Sequence, residues 1–116
     1  MTVTVEKRKH RRFKARWPIT VVTDNGTIKG QIGNISVDGL FMRSEEPLRL
    51  NKTFHMQINP PNHQGIDFTG RVIWSDLYAL VDRNIVYGTG ICFVRISDGD
   101  RHLFDEILSA RPTDTK

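Results

Sequence analysis

Apolar residues along this chain recur mostly at every second position, in short runs broken by turn-forming residues. Trp17 to Thr23 is apolar and β-branched, Asp24-Asn25-Gly26 supplies residues suited to a tight hairpin, and Thr27 to Ile35 returns as a second strand. Gly30 and Gly33 within that return predict bulges or a close backbone approach. Ser36 to Gly39 turns the chain again, and Leu40-Phe41-Met42 opens a third strand. Thr53 to Asn59 alternates strictly, with Phe54, Met56 and Ile58 on one face and His55, Gln57 and Asn59 on the other, as a half-buried strand does. Ile66, Phe68, Val72 and Trp74 share a parity around Gly70, which predicts a long strand bent at that glycine. Asp76 to Asn84 reads as an irregular connection. Ile85 to Arg95 is the last strand, with Gly88 and Gly90 together on a face that admits a close neighbour.

The period changes only near the end. Leu103, Phe104, Ile107 and Leu108 form one stripe at helical spacing within Arg101 to Ala110, and Ser97 with Asp100 resembles a capping box. Six strands with short turns and one terminal amphipathic helix predict an all-β fold with a C-terminal helix. The arrangement expected is a six-stranded antiparallel β-barrel, in which closure removes unpaired edges and the helix lids one end.

Size narrows this to one domain, since 116 residues at 38% hydrophobic content support a single modest core. No apolar run approaches the roughly 20 residues of a membrane span, and the N-terminus has no apolar leader, so a cytoplasmic protein is expected. The one cysteine, Cys92, lies in an apolar run and reads as a buried core thiol. His10, His55, His63 and His102 are scattered without ligand spacing, and no nucleophile has a nearby base, so no enzyme, metal or cofactor is expected.

Charge adds an asymmetry. Residues 1–16 hold seven Lys/Arg against Glu6, whereas the remaining hundred residues are net negative, although the whole chain is +4. A positive field concentrated at one end points to an anionic partner. The expected organisation is a flexible basic arm over 1–10, the barrel with its helix over 11–110, and a disordered tail over 111–116.

Two clusters carry candidate chemistry. Arg11, Arg12 and Arg16 lie in a stretch without an evident apolar rhythm, so their guanidinium groups are free to face a ligand. Arginine presents forked donors that suit phosphate oxygens and the O6/N7 edge of guanine, and its plane stacks on bases. Arg8 and Arg12 share the four-residue spacing of Arg12 and Arg16, which leaves two registers open. The other cluster is Asn34, Ser36 and Gly39, which a local turn alone also accommodates.

RRxxxR followed by NxSxxG, with Trp17-Pro18-Ile19, Gly70-Arg71-Val72-Ile73-Trp74 and Tyr87-Gly88-Thr89-Gly90-Ile91 in that order, resembles the PilZ domain, the bacterial receptor module for cyclic di-GMP. The resemblance runs from about Arg8 to Leu108 and implies a PilZ-like barrel. It implies that Asn34, Ser36 and Gly39 sit on the barrel surface and contact one guanine and its ribose-phosphate. Arg11, Arg12 and Arg16, with Arg8, would wrap from the opposite side, and Trp74 would flank a guanine. Asn34 stands where Asp is commoner, and Arg11 stands where the family associates an extra Arg with two intercalated ligand molecules. Signalling would follow when the arm closes on the dianion and changes the surface shown to a downstream protein partner. The alternative is a PilZ-like protein-interaction module independent of cyclic di-GMP. A nucleic-acid-binding barrel is disfavoured because Phe41, Phe54, Phe68 and Phe93 fall on core parities.

Overall fold

The computed structural model describes residues 12–110. The expected arm over 1–10, with Arg8, lies outside the described residues, as do Arg11 and the tail over 111–116. Within 12–110 the elements are β1 (Phe13–Lys14), β2 (Pro18–Thr23), β3 (Gly26–Ile35), β4 (Gly39–Ser44), β5 (Thr53–Ile58), β6 (Ile66–Val81), β7 (Asn84–Ile96) and α1 (Asp98–Ser109). The six longer strands pair antiparallel in the order β3-β2-β5-β6-β7-β4, and β4 returns to β3, so the expected six-stranded barrel closes. The short strand β1 adds to β3 through Phe13↔Ile35 and Lys14↔Asn34.

The alternation that predicted the strands also builds the core. Ile19 and Val21 of β2, Ile28, Ile32 and Ile35 of β3, Met56 and Ile58 of β5, and Val72 and Ile91 are all buried inside the barrel. Helix α1 begins at Ser97, whose side chain accepts a hydrogen bond from the Asp100 backbone N–H at 3.1 Å, the N-cap half of the expected box. The Asp100 carboxylate instead accepts from the Asp67 N–H at 3.4 Å, tying the helix to β6. Phe104 is fully buried and meets Phe93 edge to face at 5.3 Å, which in turn meets Phe68 at 4.9 Å. This aromatic chain fastens the helix to the barrel.

The structure departs from the sequence expectation in three places. Register slips between Val72 and Trp74, so Ile73 is inserted and the side chains that follow change face until a second slip between Leu77 and Ala79. Trp74 therefore leaves the core parity of Ile66, Phe68 and Val72 and is 45% exposed. Second, Asp76 to Asn84 is not irregular: β6 continues to Val81 and turns tightly into β7 through Asp82 and Arg83, both with positive φ (50° and 69°). This hairpin projects apolar residues, with Leu77 63% and Leu80 72% exposed, and has no glycine to announce its turn. Third, the arginine stretch does have a rhythm. Phe13, Ala15 and Trp17 turn inward while Lys14 and Arg16 are exposed, and the backbone tracks β3 through Ala15 N–H to Gly33 O and Ile32 N–H to Trp17 O. The expected bulge at Gly70 is present as a slip between Thr69 and Gly70.

Candidate functional site

The β3–β4 connection is three residues long, Ser36 to Asp38, and its polar residues have internal tasks. The Ser36 backbone N–H donates to Gly39 O at 2.9 Å, and the Ser36 Oγ accepts from the Asp38 N–H at 3.2 Å. Ser36 is 2% exposed, so it shapes the turn from within and does not sit on the barrel surface as the resemblance implied. The Asp38 carbonyl accepts from the Phe93 N–H at 2.9 Å, and Arg101 of α1 donates to the Val37 carbonyl at 3.2 Å. The loop is thereby clamped by β7 and by the helix.

Gly39 is buried as well, for a steric reason. A Cβ there would lie 2.1 Å from the Ile91 carbonyl oxygen, so only glycine lets β4 approach β7 this closely.

Beside this loop a cavity of about 350 Å³ opens, and Arg12, Asn34, Asp38, Gly39, Phe41 and Trp74 line it. β1 places Arg12 there: Lys14 pairs with Asn34, and the Arg12 Nε donates to the Asn34 Oδ1 at 2.7 Å. The guanidinium is thus aimed by an amide 22 residues away in sequence. Arg16 is exposed four residues further along the same edge and lies outside the cavity lining.

The opposite wall is aromatic. Phe41 and Trp74 stack at 5.6 Å with planes 26° apart, and Tyr78 meets Phe41 at 5.5 Å. These rings lie flat because glycines leave room beneath them. A Cβ at Gly90 would meet the Trp74 ring at 2.2 Å, and a Cβ at Gly88 or Gly33 would meet Phe41 at 2.9 Å. The face of β7 expected to admit a close neighbour does so, and the neighbours are Trp74 and Phe41. Phe41 accordingly belongs to the outer face and not to the core; Phe68 is buried, and Phe54 and Phe93 pack partly buried against the core. Cys92, expected as a core thiol, is half-buried and lines the same cavity.

The structure therefore brings Arg12, Asn34, Gly39 and Trp74 together, leaves Arg16 exposed outside the cavity lining, and keeps Ser36 buried in the turn. Sequence reasoning missed Asp38, Phe41 and Arg101. Asp38 and Phe41 flank the motif glycine, but nothing local says which way they face. The partner of Arg101 is 64 residues away. Among the described residues no group of three or more His, Cys, Asp or Glu could hold a metal ion, and no helix is long and apolar enough to cross a membrane.

The family model described as the PilZ domain matches residues 6–110. Among solved structures, the PilZ domain of YcgR from Escherichia coli with c-di-GMP superposes at a TM-score of 0.76 and 13% identity, covering 90% of this chain and 91% of that one. The c-di-GMP complex of MrkH from K. pneumonia gives 0.78 at 18% identity, over 90% of this chain and 51% of MrkH. PlzA of Borreliella burgdorferi in complex with c-di-GMP gives 0.63 at 13% identity, over 90% and 54%. The chain thus spans nearly all of the isolated YcgR domain and about half of the other two. No curated protein sequence matches it significantly. At these identities the likeness to solved structures establishes the fold.

Proposed function

This chain belongs to the PilZ domain family, and from that premise we propose that it is a receptor for cyclic di-GMP. The observation that carries the reading is the convergence of Arg12, Asn34, Gly39 and Trp74 on one cavity from three separate parts of the chain. A guanine entering there stacks on the Trp74 and Phe41 wall, which is large, flat and partly exposed. Its O6/N7 edge and the adjoining phosphate take the Arg12 guanidinium, already oriented by Asn34. Arg16, with Arg8 and Arg11, supplies further cations for the two phosphates. Held in this way, the dianion engages the arm that carries Arg8 and Arg11 as well as Arg12, and the altered surface is what a downstream protein reads. The chemistry is recognition and not catalysis.

Titration calorimetry with cyclic di-GMP tests this directly. Micromolar or tighter binding that weakens as salt is added, and that Arg12→Ala and Arg16→Ala each reduce, is expected. No binding at low salt, or equal binding by both variants, would falsify the receptor reading. A stoichiometry of two per chain would match the intercalated pair that the extra Arg11 suggests; one per chain excludes it.

One observation favours a second reading, a protein-interaction module indifferent to the nucleotide. The β6–β7 hairpin exposes Leu77, Leu80, Val81 and Ile85 together, an apolar surface of the kind that marks protein contacts. Binding to a partner that is unchanged by cyclic di-GMP would support it.

A further inference from the structure

We infer that the protein self-associates through the free edge of β6, where residues 77–81 lie antiparallel against the same run of a second copy. β5 accompanies β6 only as far as Arg71, and Val72 is the last residue held on that side, by the Lys52 carbonyl and the Asn51 N–H. Over residues 73–81 no strand among the described residues pairs with that edge, while β7 covers the other. On the far side of the hairpin β4 pairs with β7 up to Tyr87, so only residues 84–86 are open there. β6 offers the longer unpaired edge, and such an edge is a template for another strand.

The side chains favour a strand over a partner lying flat on the hairpin. Leu80 and Ile85 stand opposite each other and share one face, whereas Tyr78, Ala79 and Val81 line a groove of about 810 Å³ on the other. A partner on one face would leave the other in water; a strand added at the edge covers part of both. Leu77, Tyr78, Leu80, Val81 and Ile85 are all exposed. Together they present on the order of 500 Å² of largely apolar surface, the upper range for one patch on a monomer. With the adjoining backbone this comes near the ~800 Å² per partner of a stable interface. Residues 77–81 contain neither a charge nor a proline to guard the edge. The bulge at Tyr78 is the one guard, and Ala79 to Val81 beyond it pair regularly with β7.

Charge selects both the occupant and the register. Asp76 and Arg83 bracket the apolar run. With a two-fold axis between Ala79 and Leu80, Asp76 of each copy stands opposite Arg83 of the other, and an ion pair closes each end of the apolar zipper. Moving the axis onto Ala79 would set Asp76 against Asp82 instead. The Asp76 carboxylate accepts the Leu77 N–H at 2.7 Å, which holds it at the end of the run with acceptor capacity remaining. The segment is thus complementary to itself in one register. Such a contact is isologous, consumes the edge of both copies, and stops at a dimer.

Sedimentation velocity on the full chain, without nucleotide and over a range of concentrations, tests this independently of the receptor reading. Wild type is expected to reach the mass of two chains as concentration rises. Leu80→Lys and Val81→Lys, both at exposed positions, should keep the circular dichroism of wild type. Each should weaken the dimer about a hundredfold or more, because symmetry counts each change twice. Asp76→Arg and Arg83→Asp should each weaken it about tenfold, and the combined reversal should recover to within about threefold of wild type. A wild type that stays monomeric at every concentration would overturn the proposal and leave the apolar hairpin to a different protein. A dimer that withstands Leu80→Lys and Val81→Lys, or that the combined reversal does not recover, would overturn the pairing equally.

Discussion

Arg12 donates its Nε–H to the Asn34 Oδ1 at 2.7 Å, joining the start of the arginine segment to the first residue of the NxSxxG motif at the end of β3. The two halves of the signature are therefore in contact before any ligand arrives. A hydrogen bond to a charged group contributes on the order of 1.5–3 kcal/mol when sheltered, and this half-buried one sits toward the lower end. Its effect on binding is preorganisation, since the guanidinium need not be fixed at the moment of association. Arg12→Ala should weaken cyclic di-GMP binding about tenfold to a hundredfold and Asn34→Ala about tenfold. The double variant should lose less than the two single losses combined, and a calorimetric double-mutant cycle checks this non-additivity. Strict additivity would mean that the contact does not prepare the site.

Gly39 should prove a stability residue first and a ligand residue only through that. Its missing side chain is what allows the Ile91 carbonyl within 2.1 Å of the Cβ position, and the obstacle is backbone, which cannot swing aside. Gly39→Ala is expected to cost about 1–3 kcal/mol or more through overpacking. Urea unfolding should show a lowered midpoint with little change in slope. A variant of unaltered stability that has lost only cyclic di-GMP binding would show instead that the glycine serves the base.

Much of this arrangement was legible along the chain, and the misreadings of which face a side chain takes depend on partners distant in sequence. The hairpin at Asp24 to Gly26, the bend at Gly70 and the Ser97 cap each depend on residues adjacent in sequence. Gly26 indeed takes φ 132°, and the Ser97 side chain reaches only three residues. The meeting of Arg12 with Asn34 and Gly39 was legible through the order of the two motifs, as a family pattern. What was hidden is whatever a one-residue slip controls. The inserted Ile73 moves Trp74 to the outer face, and no residue type marks that position as a bulge. Phe41 followed the same error, because its face is decided by Gly33 and Gly88 beneath its ring, on strands 8 and 47 residues away.

The Trp74 seat offers a direct probe of that outer wall. Adding a methyl at Gly90 places it 2.2 Å from the indole, so Gly90→Ala should push Trp74 off Phe41. Because the ring is partly exposed and free to move outward, stability should fall by only about 1 kcal/mol. Cyclic di-GMP affinity should fall about tenfold, a stacking loss of roughly 1–1.5 kcal/mol. Trp74→Ala should match it in affinity, and tryptophan fluorescence should shift on ligand addition in wild type but not in Gly90→Ala. Equal ligand-induced shifts in both would separate Trp74 from the binding site.

Thr89 provides a test of the barrel that does not involve the ligand. It is fully buried in β7, and its Oγ1 has no hydrogen-bond partner among the described residues. A buried hydroxyl without a partner carries its full desolvation cost, typically about 1–3 kcal/mol, while its methyl group packs as valine would. Thr89→Val keeps the shape and the β-branching that suits a strand, and it removes the polar atom. The variant should therefore be more stable by about 1 kcal/mol, a rise in Tm of roughly 4–8 °C for a domain of this size. Cyclic di-GMP affinity should be unchanged, because Thr89 faces the interior on the side of the sheet away from Trp74 and Phe41. Calorimetric melting decides the matter, and a lower Tm would show that the hydroxyl is satisfied by a bound water that valine expels.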